Sequence, residues 1–191
     1  MKSSKKLNLY VLVHTESRYN KKRIFTGHID SVLTEKGHKQ AEAFAKELAG
    51  KNINIAYTSP LKRAKQTLKH IIRYHPETKV IIDKRIIERD YGELSRRSKV
   101  KFRRDHPDLY PIYHRSYKTP PPGGESMIQV EKRVLLFIKE VINIMRKNRF
   151  NVLIVTHSNS IRPIIRYFEG ISSKEMMQLE NYRLKVLTYK I

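Results

Sequence analysis

The chain has no cysteine, few acidic residues against its basic ones, and no long apolar run. Without cysteine, neither a disulfide framework nor a cysteine metal site can form. No apolar run approaches the roughly 18 residues of a membrane-spanning helix, and the N-terminus lacks the apolar core of a signal peptide. A cytoplasmic location fits these absences. Repeats and linkers are missing as well, so residues 1–191 are expected to form one domain. Only 18 Asp and Glu oppose 40 Lys and Arg, leaving a formal net charge of +22. Such an excess attracts nucleic acid, acidic membranes or phosphorylated metabolites, unless it is only solvated lysine spread over the surface. The densest clusters are Arg96–Arg104 (RRSKVKFRR) and Lys21–Arg23. No aromatic stacking platform stands out in the first, which makes nucleic acid the lesser expectation. A small phosphorylated metabolite is the expected partner, with no membrane role. Oligomeric state is left open.

What is present is alternation. Leu7–Val13 (LNLYVLV) is an almost continuous apolar run and reads as a buried strand. A helix follows, with Thr34 as its N-cap, Ala41, Phe44, Ala45 and Leu48 at helical spacing, and Gly50 ending it. Ile53–Ser59 reads as a second strand. Pro60 opens a helix reaching about Tyr74. KVIIDKRI gives a third strand, residues 127 to 147 a helix, FNVLIVTHS a fourth strand, NSIRPIIRYFEG a helix closed by Gly170, and RLKVLTYKI a last strand. Strands alternating with helices imply an α/β fold, with a mostly parallel sheet covered on both faces. Residues 88–125 are left as a long irregular stretch, and such loops often act as lids.

Two strands end alike: Leu12-Val13 leads into His14-Thr15, and Val155-Thr156 into His157-Ser158. Open α/β sheets bind ligands beyond the carboxyl ends of their strands, so both histidines can face one ligand. A neutral imidazole can attack phosphorus and split one hard step into two. The transferring group is anionic and needs cationic donors around it. Arg63, one turn into a helix after a strand, suits a phosphate clamp. His157, just ahead of a helix, can add a donor beside free backbone N–H groups. Glu88, after the third strand, is the candidate acid for a leaving alkoxide.

These residues resemble the histidine phosphatase superfamily, also called phosphoglycerate mutase-like, from about Leu9 onward. VHTES matches the histidine, glutamate and serine of the family's Arg-His-Gly-Glu-Ser/Thr opening, and Asn20 matches a following asparagine. FTGHIDSVLTEKGHKQA, YTSPLKRAKQT and THSNSIR resemble its phosphate loop, second arginine motif and second histidine motif. ERDYGEL and HRSYKTPPP are similar to segments of the 2,3-bisphosphoglycerate-dependent phosphoglycerate mutases. The resemblance implies a three-layer sandwich, with 88–125 as a lid-like insertion. It assigns catalysis to His14, Arg63, Glu88 and His157. It assigns ligand contact to Ser17, Asn20, Thr26, Gly27, Arg89, Tyr91, Lys99, His114, Arg115, Ser158 and Asn159. It further implies no metal, and 2,3-bisphosphoglycerate as priming donor if the acceptor is the other hydroxyl of glycerate. A phosphomonoesterase with water as acceptor, or a phosphate-ligand or polyanion binder that has lost catalysis, are the alternatives.

The pattern departs at three places. Val13 stands where the family has its first catalytic arginine, and Thr15 and Ser158 replace glycines. Losing a preorganised donor costs about 10²–10³ in rate. Arg18, Lys21 and Lys22 are nearby cations that could supply charge, though not as a one-for-one geometric replacement. Thr15 either crowds an approaching phosphate or donates to it from its hydroxyl, as Ser158 could. The segment between PPP and GGES is also short for such a mutase.

Overall fold

Strand β1 (Asn8–Val13) carries its apolar residues alternately into two cores. Leu9, Val11 and Val13 join one apolar cluster, and Tyr10 and Leu12 join the other. That division is the sheet's period of two, and it means helices cover both faces. The computed structural model describes residues 6–180 and 182–191. In chain order its elements are β1, α1 (Arg18–Lys21), α2 (Glu35–Leu48), β2 (Ile55–Thr58), α3 (Lys62–Ile72) and β3 (Lys79–Ile82). Then follow α4 (Lys99–Asp105), α5 (Leu109–Arg115), α6 (Met127–Asn148), β4 (Val152–Thr156), α7 (Ile161–Glu169), α8 (Ser173–Gln178) and β5 (Leu187–Lys190). Phe44, Leu48, Leu68 and Ile71 of α2 and α3 pack on one face, and Val134, Phe137, Ile138, Ile161 and Ile164 of α6 and α7 on the other. The result is an α/β three-layer sandwich.

The strand order is β3-β2-β4-β1-β5, parallel except for β5, which runs antiparallel to β1. Val13 of β1 is in register with Thr156 of β4, so the next residue of each strand is a histidine. The His14 N–H continues the ladder to the Thr156 carbonyl at 3.0 Å. Sheet register therefore sets the two imidazoles side by side.

Most boundaries follow the sequence pattern, and several differ, β5 among them, which starts at Leu187 rather than Arg183. α3 begins at Lys62 with Leu61 as N-cap, leaving Pro60 outside the helix. β3 is shorter than KVIIDKRI because Asp83 accepts a bond from the Arg85 N–H and starts a single 3-10 turn. α8, six residues closed by a Ser172/Glu175 capping box, is too short to show a period in sequence. The stretch 88–125 is not irregular throughout, since it holds α4 and α5. Pro111 argues against a helix there, yet it falls in the first turn of α5, where backbone N–H groups need no helical partner. Both short helices stand on a satellite core of Phe25, Tyr91, Leu94 and Phe102.

Gly37 fixes how α2 meets the loop after β1. A Cβ at Gly37 would collide with the Glu16 carbonyl oxygen, whereas one at Gly50 would meet nothing within 4 Å. Alanine usually gains about 1 kcal/mol over glycine inside a helix. At Gly37 the clash outweighs that gain, and Gly37→Ala is expected to destabilise by about 1–3 kcal/mol in urea unfolding. Gly50→Ala is expected to be neutral or slightly stabilising by the same measurement.

Candidate active site

His14 is held by two partners whose roles are not interchangeable. Arg63 Nε–H, a donor only, lies 3.2 Å from His14 Nε2, so Nε2 must carry a lone pair. The ring proton therefore sits on Nδ1 and is donated to the Thr15 carbonyl at 2.7 Å. Burial, and after it the Arg63 charge, pushes the His14 imidazole down to about 3. It is consequently neutral at physiological pH, with an unprotonated Nε2.

Arg63, 1% exposed, sits in the first turn of α3. Its Nη1 and Nη2 donate to the carbonyls of Ile29 and Gly27 at 2.9 and 2.8 Å. Burial lowers it to about 10, so it remains a cation near neutrality. His157 packs edge-on against His14 with centroids 5.0 Å apart. Its Nε2 pairs with Ser59 Oγ at 2.5 Å, and its buried Nδ1 has no partner among the described residues. Burial first, then Arg63 and His14, hold it well below the usual histidine value.

Glu88 is placed by backbone pinning from three directions. Thr156 Oγ1 donates to the Ile86 carbonyl at 2.8 Å, and Ser160 Oγ to that of Ile87. Arg133 of α6 donates to the carbonyls of Arg85, Ile87 and Glu88 and to both oxygens of Glu125. Glu88 Oε1 then accepts the N–H groups of Arg89 and Asn159 at 2.9 and 3.1 Å, leaving Oε2 for a proton or ligand.

His14, Arg63 and Glu88 share a cavity of about 520 Å³, open to solvent. Its wall also takes in Asn20, Thr26, Gly27, Tyr91, Lys99, His114, Arg115, Ser158 and Asn159, all expected from the sequence. Asn20 spends its carbonyl oxygen on Ser17 and can offer its NH₂ group. Among the described residues Lys99 has no carboxylate partner, and it lies 5.4 Å from the Phe25 ring centroid and 5.9 Å from that of Tyr91. Burial lowers it to about 8, against the opposing pull of Glu88, and lowers His114 to about 3.

Some expected residues lie elsewhere, among them His157, which is fully buried against His14 and not part of the wall. Ser17 is outside the wall because its hydroxyl caps α1, accepting from Asn20 N–H and donating to Asn20 Oδ1. Arg89 is also outside. Its Nε donates to the Glu125 carbonyl at 2.7 Å and its Nη2 to that of Thr119 at 3.4 Å, stitching two loops together. Thr15 turns its hydroxyl to Thr67 Oγ1, 3.3 Å away. Arg18, Lys21 and Lys22 do not reach the wall, so none replaces the missing arginine.

The sequence reading missed Tyr182, Arg162 and Arg183, which do line the cavity. Arg162 is 3% exposed, donates from Nη1 to the carbonyls of Met176 and Met177, and has an unpartnered Nε. Its signal was available: an arginine on the apolar stripe of Ile161, Ile164 and Ile165 must be buried. Arg183 has no such signal, because only tertiary structure brings it there. Five cations thus face one carboxylate across a single cavity, an arrangement built for a ligand with more than one negative charge.

A buried neutral imidazole, an arginine on its nucleophilic nitrogen and a carboxylic group opposite define a phosphoryl-transfer site on an α/β sheet. Residues 9–190 match the histidine phosphatase superfamily (branch 1), and the chain belongs to it. It is 37% identical, over 90% of its own length and 86% of the relative's, to the 2,3-bisphosphoglycerate-dependent phosphoglycerate mutase of Brucella melitensis biotype 2 (strain ATCC 23457). Solved structures similar in fold include Mycobacterial hydrolase 1, at TM-score 0.86 and 21% identity over 97% of this chain and 92% of that one. Bacillus stearothermophilus YhfR is also similar, at TM-score 0.85 and 26% identity over 95% and 90%. The family match and the mutase relative together support a phosphoryl-transfer enzyme. No helix among the described residues is long and apolar enough to cross a membrane.

Lys99 gives the cavity a pH dependence. The residue is charged below about 8 and neutral above it. Affinity for sulfate, whose charge is constant, is expected to be flat below pH 7 and to fall as pH rises through about 8. Lys99→Met is expected to bind weakly at every pH without that limb, and Lys99→Arg to stay flat past pH 9. Calorimetric titration checks this, and an unchanged limb in Lys99→Met contradicts it.

Proposed function

We propose that the protein interconverts 2- and 3-phosphoglycerate by moving a phosphoryl group through His14 Nε2. The observation that carries this reading is the forced neutral tautomer of His14, with Nε2 unprotonated at a cationic cavity. A bond forms from Nε2 to phosphorus as the phosphorus–oxygen ester bond breaks. The leaving alkoxide takes a proton from Glu88 Oε2, and Glu88 recovers one from the hydroxyl that next attacks the phosphoryl group. Arg63 and the free Nδ1 of His157 stabilise the charge on the equatorial oxygens.

The substrate carries a phosphate and a carboxylate, and the cavity's supply of cations suits both. Lys99 and Arg115 hold the carboxylate end, with Arg162 behind them. When bound, 2,3-bisphosphoglycerate supplies the priming phosphoryl group, and the same cations, including the unpartnered Arg162 Nε, fit its charge. The proposed chemistry uses no metal. The 37% identity to a phosphoglycerate mutase supports this substrate over others, and a cytoplasmic setting accords with it.

The experiment incubates the protein with 3-phosphoglycerate and a trace of 2,3-bisphosphoglycerate. Formation of 2-phosphoglycerate supports the mutase, and inorganic phosphate as sole product supports a phosphomonoesterase. His14→Ala is expected to abolish turnover, and Glu88→Gln to lower kcat by about 10²–10⁴.

A further inference from the structure

The sheet topology delivers one cation to His14 from an unexpected direction. β5 is antiparallel to β1, with Val11 opposite Leu187, so the residues entering β5 arrive at the carboxyl end of β1. That end carries His14. Tyr182 anchors the entering segment, since it is 4% exposed and its hydroxyl donates to the Ser158 carbonyl at 2.9 Å. The Arg162 guanidinium lies 5.3 Å from the Tyr182 ring centroid and fixes the ring further. Leu184 adopts a left-handed conformation, φ 57°, and turns the chain sharply toward β5. Arg183 sits between the anchor and the turn.

Its position is distinctive. Arg183 borders the catalytic cavity, and it also borders a second hollow, of about 740 Å³ and open to solvent, on the Val13 side of His14. Val13, His14, Glu16, Ser158 and a second cation, Lys36, line the same hollow, but of the two cations only Arg183 also borders the catalytic cavity. Val13 itself belongs to the apolar cluster between the sheet and α6 and contributes no charge there. Glu16 is engaged with Thr34, whose hydroxyl donates to its Oε1 at 2.7 Å. Arg183 has no carboxylate partner among the described residues, and its charge acts on both His14 and Lys99. An exposed arginine poised over a buried nucleophile, with no counter-charge, is free to close on an anion bound there.

We propose that Arg183 is a catalytic residue, the cation that contacts the phosphoryl group at His14 on the side where Val13 offers none. The proposal rests on the phosphoryl-transfer reading of the site. It makes the final strand part of the catalytic apparatus and explains how the chemistry tolerates valine at position 13.

The test compares wild type, Arg183→Met, Arg183→Lys and Lys185→Met. Lys185 carries the same charge two residues on and borders neither the cavity nor the hollow. Orthovanadate binding is measured by calorimetry, and acid-labile phosphate on the protein by rapid quench with 2,3-bisphosphoglycerate. Arg183→Met is expected to weaken vanadate binding on the order of tenfold or more and to slow phosphorylation by about 10²-fold or more. Arg183→Lys is expected to recover much of the binding, and Lys185→Met to match wild type. Vanadate affinity unchanged in Arg183→Met, or equally reduced in Lys185→Met, overturns the proposal. If wild type takes up no phosphate while Arg183→Met still loses vanadate, the role of Arg183 stands and the mutase reading fails.

Discussion

Everything at the site depends on one hydrogen bond whose direction cannot be reversed. Arg63 Nε can only donate, so His14 Nε2 can only accept, and the imidazole proton is left to the Thr15 carbonyl. Burial reinforces the choice by disfavouring the charged ring. The nucleophile is thus prepared before any ligand arrives. Keeping it so requires Arg63 to be immobile, and the carbonyls of Gly27 and Ile29 hold its other two nitrogens. The Thr26-Gly27 loop therefore serves the nucleophile through the arginine as well as by lining the cavity.

The proton carrier is prepared by a separate set of constraints. Three elements pin the Ile86–Glu88 backbone, and two N–H groups commit one carboxylate oxygen. What remains free is one oxygen facing a cavity of cations. The fold places nucleophile and acid beyond different strands, and the parallel pairing of β1 with β4 sets the second histidine against the first. In the proposed reaction, affinity and reactivity come from different groups: Arg63 and His157 act at the phosphorus, and Lys99, Arg115 and Arg162 hold the rest of the substrate.

The sheet and the site were legible in the sequence wherever local pattern decides. Apolar runs located β1, β2 and β4, and Thr34 and Gly170 cap the helices where their chemistry demands. His14, Arg63 and Glu88 follow from their places beyond predicted strands, whereas the wall from Asn20 to Asn159 rests on the family resemblance, since Lys99, His114 and Arg115 lie in α4 and α5, far along the chain from any strand. Ser17 and Arg89 escaped, since their side chains serve backbone groups that only the folded loops bring near. α4 and α5 escaped because seven-residue helices show little periodicity and Pro111 disguises one of them. Arg183 could not be found at all from local pattern, as its place depends on β5 pairing antiparallel with β1.

The chemical claim at the centre is that phosphorus bonds to Nε2 of His14, because Nδ1 is committed to Thr15. Phosphorus–nitrogen correlated NMR on the phosphorylated, ¹⁵N-histidine-labelled protein reads the bonded nitrogen directly. The expected result is a single phosphohistidine, linked through Nε2, that disappears in His14→Ala. A linkage through Nδ1, or phosphate residing on a residue other than His14, would contradict it.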